Sequence, residues 1–313
     1  MAAAKRMKIT EIISAEYAAL YPAAHVYNTV SFAELNRSKA ENVQYLSVGD
    51  TKPRFGIILG ERNGMLLSPF SAPFGSFTMR GKQRLEYMDE AAQLLVDYAR
   101  ERGKGLRIMM PSMIYDEAEL SQWVNVFARK MPVKFVDLNF QFELQRFNDY
   151  TANIERSARK NLNHALKENF LFEKLDAGNK ADVERMYAVI SRNRRERGFP
   201  LRMTLEQVWQ TVSTVVEADI FVLSHEGNDV AAALVYHVAE GIAQVIYWGD
   251  IRDYSVLRPM NMLTFSVFKH YHEQGWRILD IGISTEDGVP NFGLCEFKES
   301  IGCTTSLKYC FEI

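Results

Sequence analysis

A chain of 313 residues is about twice one average domain, so each half is long enough to bury a core of its own. The hydrophobic share of 47%, the charged share of 24%, and 18 glycines with 9 prolines exclude collagen-like, coiled-coil and wholly disordered chains. Lys and Arg (37) nearly balance Asp and Glu (39), for a net charge of -2, which argues against wrapping DNA and leaves only a local basic patch for an anionic partner.

Read in chain order, helical spacing predicts helices over about 8–20 and 31–40. Strands follow at Val43–Val48, Arg54–Gly60 and Met65–Ser68, divided by turn clusters at 49–53 and 61–64 as a hairpin meander requires. A long helix over about 82–102 keeps Leu85, Met88, Ala91, Ala92, Leu95 and Tyr98 at three-and-four spacing, and Gly103 ends it. A strand (Leu106–Met110), a helix (about 117–130) and a strand (Val133–Leu144) complete the first half. The second half opens with a linking helix, about 151–169, and a strand, Leu171–Leu175. Two helices follow, about 180–197 and 205–218, the latter opened by the capping box of Thr204 with Gln207. A second meander comes next at Ile220–Ser224, Val230–Val238 and Ala243–Asp250. A long helix (about 258–273), a strand (Arg277–Ile283), a short helix (about 292–300) and a last strand (Thr305–Ile313) finish the chain.

Both halves therefore run helix, helix, three strands, long helix, strand, helix, strand. The expected organisation is α/β with mixed sheets, in two domains of one architecture, 1–150 and 151–313, the second including the basic linking helix. A single irregular α/β domain is the alternative. Three cysteines, Cys295, Cys303 and Cys310, lack the spacing of a disulfide framework or a zinc site. His270 and His272 fall on different helix faces, so no metal is expected. The first residues are basic, and the acids that follow them break any signal-peptide-length apolar run; no segment reaches the length of a membrane span. These features lead us to expect a cytoplasmic protein with reduced thiols.

The order of elements resembles that of the GNAT acyltransferase fold, and two such domains in tandem resemble the Fem family of peptidoglycan peptidyltransferases and related bacterial acyltransferase domains. Three stretches carry the resemblance beyond topology. Ile154 to Glu168 (IERSARKNLNHALKE) is similar to the family's basic linking helix. Leu279-Asp280-Ile281-Gly282, then Phe292 and Cys295 to Gly302 (CEFKESIG), is similar to its terminal Asp-x-Gly and Phe-Lys-x-x-x-Gly pattern. Two departures stand out. The long helical hairpin that some members use with transfer RNA is missing. Arg100 to Gly105 (RERGKG) has the letters of a coenzyme A pyrophosphate loop, but it ends a helix, where the free groups are carbonyls that repel phosphate.

The resemblance implies acyl transfer to an amine, with the splayed end of the strand Ala243–Asp250 offering backbone N–H to the carbonyl oxygen and the next helix offering its N-terminus to an anionic carrier. On this reading Tyr247, Asp250, Tyr254 and Arg258 line the site; otherwise they are core and rim aromatics and a solvated cap. Lys298 matches the family's channel lysine and would stabilise an oxyanion or hold a phosphate, unless it is a surface lysine paired with Glu296 or Glu299. Asp280 is a base, an orienter, or a structural carboxylate. Arg159 and Lys160 on the linking helix, and Asn193 and Arg197 at the end of the 180–197 helix, are candidates for phosphate or diphosphate recognition against a solvated helix face. The implied donor is acyl-coenzyme A or aminoacyl transfer RNA, with no tightly bound cofactor. The implied acceptor is a small-molecule, lipid-linked or nucleotide-linked amine of the bacterial envelope or a polysaccharide precursor. A binding module that kept the fold without turnover is the rival reading.

Overall fold

A computed structural model describes residues 6–313; residues 1–5, part of the basic start, lie outside the described residues. In chain order the elements are β1 (Lys8–Ile12), α1 (Ser14–Leu20), α2 (Val30–Leu35), β2 (Asn42–Gly49), β3 (Pro53–Arg62), β4 (Met65–Ser68), β5 (Thr78–Met79), α3 (Leu85–Glu101), β6 (Gly105–Met109), α4 (Glu117–Lys130), β7 (Val133–Glu143), α5 (Tyr150–Asn153) and α6 (Arg156–Ala165). They continue with β8 (Phe170–Leu175), α7 (Lys180–Arg197), α8 (Leu205–Thr214), β9 (Ala218–His225), β10 (Asn228–Ala239), β11 (Ile242–Asp250), α9 (Pro259–Glu273), β12 (Ile278–Ile283), β13 (Thr285–Glu286), β14 (Val289–Pro290), α10 (Phe292–Ser300) and β15 (Thr304–Glu312).

Three expectations change. The helix over 8–20 begins only at Ser14, because Lys8–Ile12, with its β-branched Ile9, Thr10 and Ile12, pairs antiparallel with β2 from Lys8↔Gly49 to Ile12↔Tyr45. The linking helix is two short pieces. Ile154 and Glu155 are extended between them, with Ile154 buried and the Glu155 N–H bonded to the Ser300 carbonyl at 3.0 Å. The helix over 205–218 stops at Thr214, where the β-branched Val215 and Val216 lead into β9.

The chain forms two compact units. The first holds the residues up to Leu138 together with Asp287–Val289 and Ser306–Ile313; the second holds Asn139–Glu286 and Pro290–Thr305. These bounds differ from a single cut after residue 150, because β7 changes unit at Leu138–Asn139 and most of the last strand belongs to the first unit.

In the first unit the strand order is β1-β2-β3-β4-β6-β15, with β5 on β3. The alternating inward residues Leu46, Val48, Ile57, Leu59, Leu106 and Ile108 meet Ala91, Leu95, Trp123 and Phe127 of α3 and α4, and Phe311 of β15 joins them. Each large side chain so buried stabilises the unit by roughly 1.5–3 kcal/mol. As expected, Arg102 and Gly103 (φ +63°) close α3, so the RERGKG segment is a helix end and not a phosphate loop. The strand β4 runs parallel to β6 from Met65↔Gly105 to Ser68↔Ile108 and then stops. The chain returns so that the Gly75 N–H donates to the Met109 carbonyl (2.9 Å) and the Ser76 N–H to Ser68 Oγ (3.0 Å). Phe74 fills this place, packed against His25, Tyr27 and Tyr115.

In the second unit the order is β12-β11-β10-β9-β8, with Asn139–Glu143 of β7 antiparallel on β12. The helix α7 buries Val183, Met186, Val189, Ile190 and Asn193, and α9 buries Leu263, Val267, Phe268 and Tyr271. The meander β9-β10-β11 is antiparallel, whereas β11 and β12 are parallel, joined through α9.

Candidate functional site

The site of interest is where β11 and β12 part. Their parallel pairing covers Ile242↔Ile278, Ala243↔Leu279 and Gln244↔Asp280 only. Past that point β11 runs on to Asp250 and β12 to Ile283, so the strands splay. On its other edge β11 carries a bulge. Leu234 of β10 faces Tyr247 while Val235 faces Val245, so Ile246 is the extra residue, which bends the strand at the mouth of the split. β11 stays paired with β10 as far as Asp250, but beyond Gln244 its other edge has left the β12 ladder, so backbone groups on that edge face the split.

The polar residues of the predicted site hold this split in shape. Asp280 is fully buried. Its Oδ1 accepts from Asn139 Nδ2 (2.8 Å) and the Gly282 N–H (2.9 Å), and its Oδ2 accepts from Gln244 Nε2 (2.7 Å). A carboxylate so engaged orients β7, β11 and β12 rather than abstracting a proton. Lys298 is not a surface lysine paired with Glu296 or Glu299. It is 2% exposed, and its Nζ donates to the carbonyls of Ile281 (3.1 Å), Gly282 (2.8 Å) and Ile283 (3.0 Å). An ammonium has three N–H donors, so as arranged none is left for an oxyanion or a phosphate. Gly282 supplies the left-handed turn (φ +75°) that aims these carbonyls at the lysine. Burial pushes the Lys298 pKa down to about 8. Next to Lys298, Phe297 meets Trp248 of β11 edge-on at 6.1 Å, which brings α10 against the far arm of the split.

The end of β11 is tied to α7. Asn193 Nδ2 donates to the Asp250 carbonyl (2.7 Å), and Arg197 Nη2 donates to Asp250 Oδ1 (2.5 Å). Gly249 makes room for this contact, since a Cβ there would meet the Asn193 amide at 2.4–2.8 Å. Asn193 and Arg197, candidates at a helix end, and Asp250, a candidate at a strand end, are thus brought together, and they bond to one another. Tyr247 points toward the same helix. The Arg194 guanidinium lies over its ring at 5.6 Å, its hydroxyl faces the backbone N–H groups of Met203 and Arg202, and burial raises its pKa.

The remaining candidates lie around this centre. Tyr254 is half-buried in a 3-10 turn over Arg252–Leu257. Arg258 is exposed, with left-handed backbone (φ +62°), and caps α9, whose first helical residue is Pro259. Arg159 and Lys160 are exposed on α6; Arg159 donates to the Thr151 carbonyl at 3.2 Å, and no hydrogen bond joins either residue to the split. Sequence reasoning did not single out Gln244 or Asn139; it reads Trp248 as a core or rim aromatic, and Arg194 only as one of the basic run Arg192, Arg194, Arg195 and Arg197, phosphate recognition against a solvated helix face. A signal for Arg194 existed: the buried stripe Met186, Ile190 continues at helical spacing through Arg194 and Arg197.

Residues 150–299 match the family described as acetyltransferase (GNAT) domain. No curated protein sequence matches the chain. Among solved structures the chain is similar to FemX, with 13% identity over 97% of this chain and 96% of that one and a TM-score of 0.66. It is also similar to a protein from Agrobacterium fabrum described as a lysylphosphatidylglycerol synthetase, C-terminal domain (13% identity, 96% and 90% covered, TM-score 0.64). A third similar structure is a tandem GNAT protein from the clavulanic acid biosynthesis pathway (9% identity, 98% of each chain, TM-score 0.54). At such identities the likeness is one of fold, and it runs the length of the chain. Residues 150–299 therefore match the GNAT acetyltransferase domain, and the chain as a whole has the fold seen in FemX and in the tandem GNAT protein.

Proposed function

We propose that the second unit transfers an acyl or aminoacyl group from an activated ester or thioester to an amine, and that the amine belongs to a cell-envelope or polysaccharide precursor. The observation that carries this reading is the parting of β11 and β12 after Gln244 and Asp280, beside the bulge at Ile246. An acyl carbonyl seated there would take backbone N–H groups of β11 on its oxygen. Those donors are fixed before reaction, so they stabilise the oxyanion of the tetrahedral intermediate without reorganising. The neutral amine attacks the carbonyl carbon, the intermediate collapses, and the carrier thiolate or ribose oxygen leaves and takes up the proton that the amine releases. Holding both reactants in line supplies much of the acceleration. Lys298 and Asp280 act in this scheme as positioning residues: they fix the β12 arm of the split. The start of α9 at Arg258–Pro259 faces an anionic carrier with its positive dipole end.

The family described for 150–299 favours an acyl-coenzyme A donor. The likeness to FemX and to the described lysylphosphatidylglycerol synthetase favours an envelope acceptor and keeps aminoacyl transfer RNA as the second donor. Two measurements test the scheme. Release of free coenzyme A from acetyl-coenzyme A in the presence of amine acceptors, and a rise in melting temperature with coenzyme A thioesters, are expected for the first donor. Consumption of aminoacyl transfer RNA with a peptidoglycan precursor, and no shift with thioesters, would assign the second. If neither donor is consumed, the chain is a binding module.

A further inference from the structure

The arginines of α7 are not equivalent. Arg185 is neutralised by Asp229 and Glu173 at 2.8 Å each. Arg192 is neutralised by Glu196 and Asp253 at 2.6 Å, and Arg197 by Asp250 at 2.5 Å. Arg195 is exposed to water. Arg194 differs from all of these: it is half-buried, and among the described residues no carboxylate pairs with it. Its Nε is shut off from solvent and has no hydrogen-bond partner. Its guanidinium lies over the ring of Tyr247, on the strand that carries the bulge.

A cation in this position is costly to keep, because desolvation is not offset by an acid; burial lowers the Arg194 pKa, and Arg197 lowers it further. The backbone N–H groups of Met203 and Arg202 face the Tyr247 hydroxyl. A planar fork of N–H donors held over an aromatic ring at cation–π distance, with no acid of its own, suits one ligand chemistry, a group with two anionic oxygens.

We propose that Arg194, lying on Tyr247 with no acid of its own, is the anion-binding residue of this unit and recognises an oxyanion group, carboxylate or phosphate, carried by the amine acceptor. The acceptor role rests on the acyl-transfer reading; the anion site itself does not. An acceptor anchored in this way presents its amine from the α7 side of β11, and an acceptor without the anion loses the anchor.

Titration calorimetry on the full chain, with no acyl donor present, tests the site with two matched pairs of probes: lysine against lysinamide, and glucosamine 6-phosphate against glucosamine. At least one anionic member is expected to bind about 10- to 100-fold more tightly than its neutral partner, the range of one charged hydrogen-bonded contact. Which pair shows the preference assigns carboxylate or phosphate. Arg194→Met should erase the preference and leave the neutral probe unchanged, and Arg194→Lys should restore part of it. The melting temperature of Arg194→Met should equal or exceed that of the wild type, because an unpaired half-buried charge is removed. No anionic preference in the wild type, a preference kept in Arg194→Met, or a melting temperature well below wild type would each overturn the proposal. If the anionic preference depends on Arg194 but no acyl transfer is found, the acyl-transfer reading fails and the anion site stands.

Discussion

The two units share a plan and use it differently. In each, a three-stranded meander ends beside a parallel strand that arrives through a long helix, β4 beside β6 in the first and β11 beside β12 in the second. In the first unit β4 stops at Ser68, and the chain lays Gly75 on Met109 and Phe74 among His25, Tyr27 and Tyr115. In the second unit β11 continues to Asp250, and the space between the strands is bounded by a bulge, a lysine clamp and an aromatic pair. One plan therefore yields a split filled by Phe74 and a split between longer strands. A short β4 and a glycine able to lie flat against Ser68–Pro69 make the difference, and on the proposed reading the chemistry belongs to the second unit.

The largest effect expected from this contrast is on acid stability. His25 lies in the plug with its Nδ1 unpartnered, and burial pushes its pKa down to about 3. The unfolded chain binds a proton at His25 below about pH 6.5 and the folded chain does not. Stability should therefore be lost as pH falls from about 6.5 toward 3, by roughly 3–5 kcal/mol, and His25→Phe should flatten that window in urea titrations. The second unit has the opposite arrangement at Asp219. Burial raises its pKa, but hydrogen bonds from His237, Lys174 and Tyr271 outweigh burial and hold it below the usual carboxylate range. Its contribution is present above about pH 4 and is lost only in stronger acid. A His25 variant with unchanged behaviour between pH 6.5 and 4 would break this division of labour.

The next effect concerns the clamp. Lys298→Met removes the donors to three carbonyls and should cost about 2–4 kcal/mol, while acyl transfer falls through kcat and donor KM together; a variant that loses transfer with unchanged stability would make Lys298 a catalytic residue instead. A matched glycine pair then sharpens the contrast. A Cβ on Gly75 would meet Ser68 Oγ at 2.8 Å and the Pro69 nitrogen at 2.9 Å, and one on Gly249 would displace the Asn193 amide. Each alanine variant should cost about 1–3 kcal/mol, but only Gly249→Ala should impair transfer. The smallest effect is at the capping box that opens α8, where Thr204 Oγ1 accepts from the Gln207 N–H at 3.2 Å and Gln207 Oε1 from the Thr204 N–H at 2.9 Å. Thr204→Ala should lower stability by about 1 kcal/mol and leave transfer intact.

Periodicity made most of the frame legible. The helices α4, α7 and α10 have the bounds that spacing and caps announce, and the central strands of both meanders contain the expected ones, Arg54–Gly60 within β3 and Val230–Val238 within β10. What was illegible depends on contacts far apart in the chain. Lys8–Ile12 has helical and extended readings alike, and only β2 decides between them. The split of the linking helix is set by the bond from Glu155 to Ser300. At the site, the sequence marks Asn193 and Arg197 at a helix end and Asp250 apart from them at a strand end, with no sign that they pair with one another. Lys298 was marked by motif alone; its partners are carbonyls, which no side-chain pattern reveals. The sequence offers Arg194 only as one of a basic run; the structure separates it from the others, whose acids are Glu196, Asp253 and Asp250.

The last strand has a consequence for how the molecule is made. The strand β15 lies antiparallel on β6, Cys310 against Met109 and Glu312 against Arg107, and places Phe311 in the first unit's core. The first unit is therefore completed by residues that follow nearly all of the second unit in the chain. Translation runs from the N-terminus, and domains that are continuous in sequence finish in that order. Here the order is reversed: the first unit must wait, with an edge of its sheet unpaired, until nearly all of the second has been synthesised.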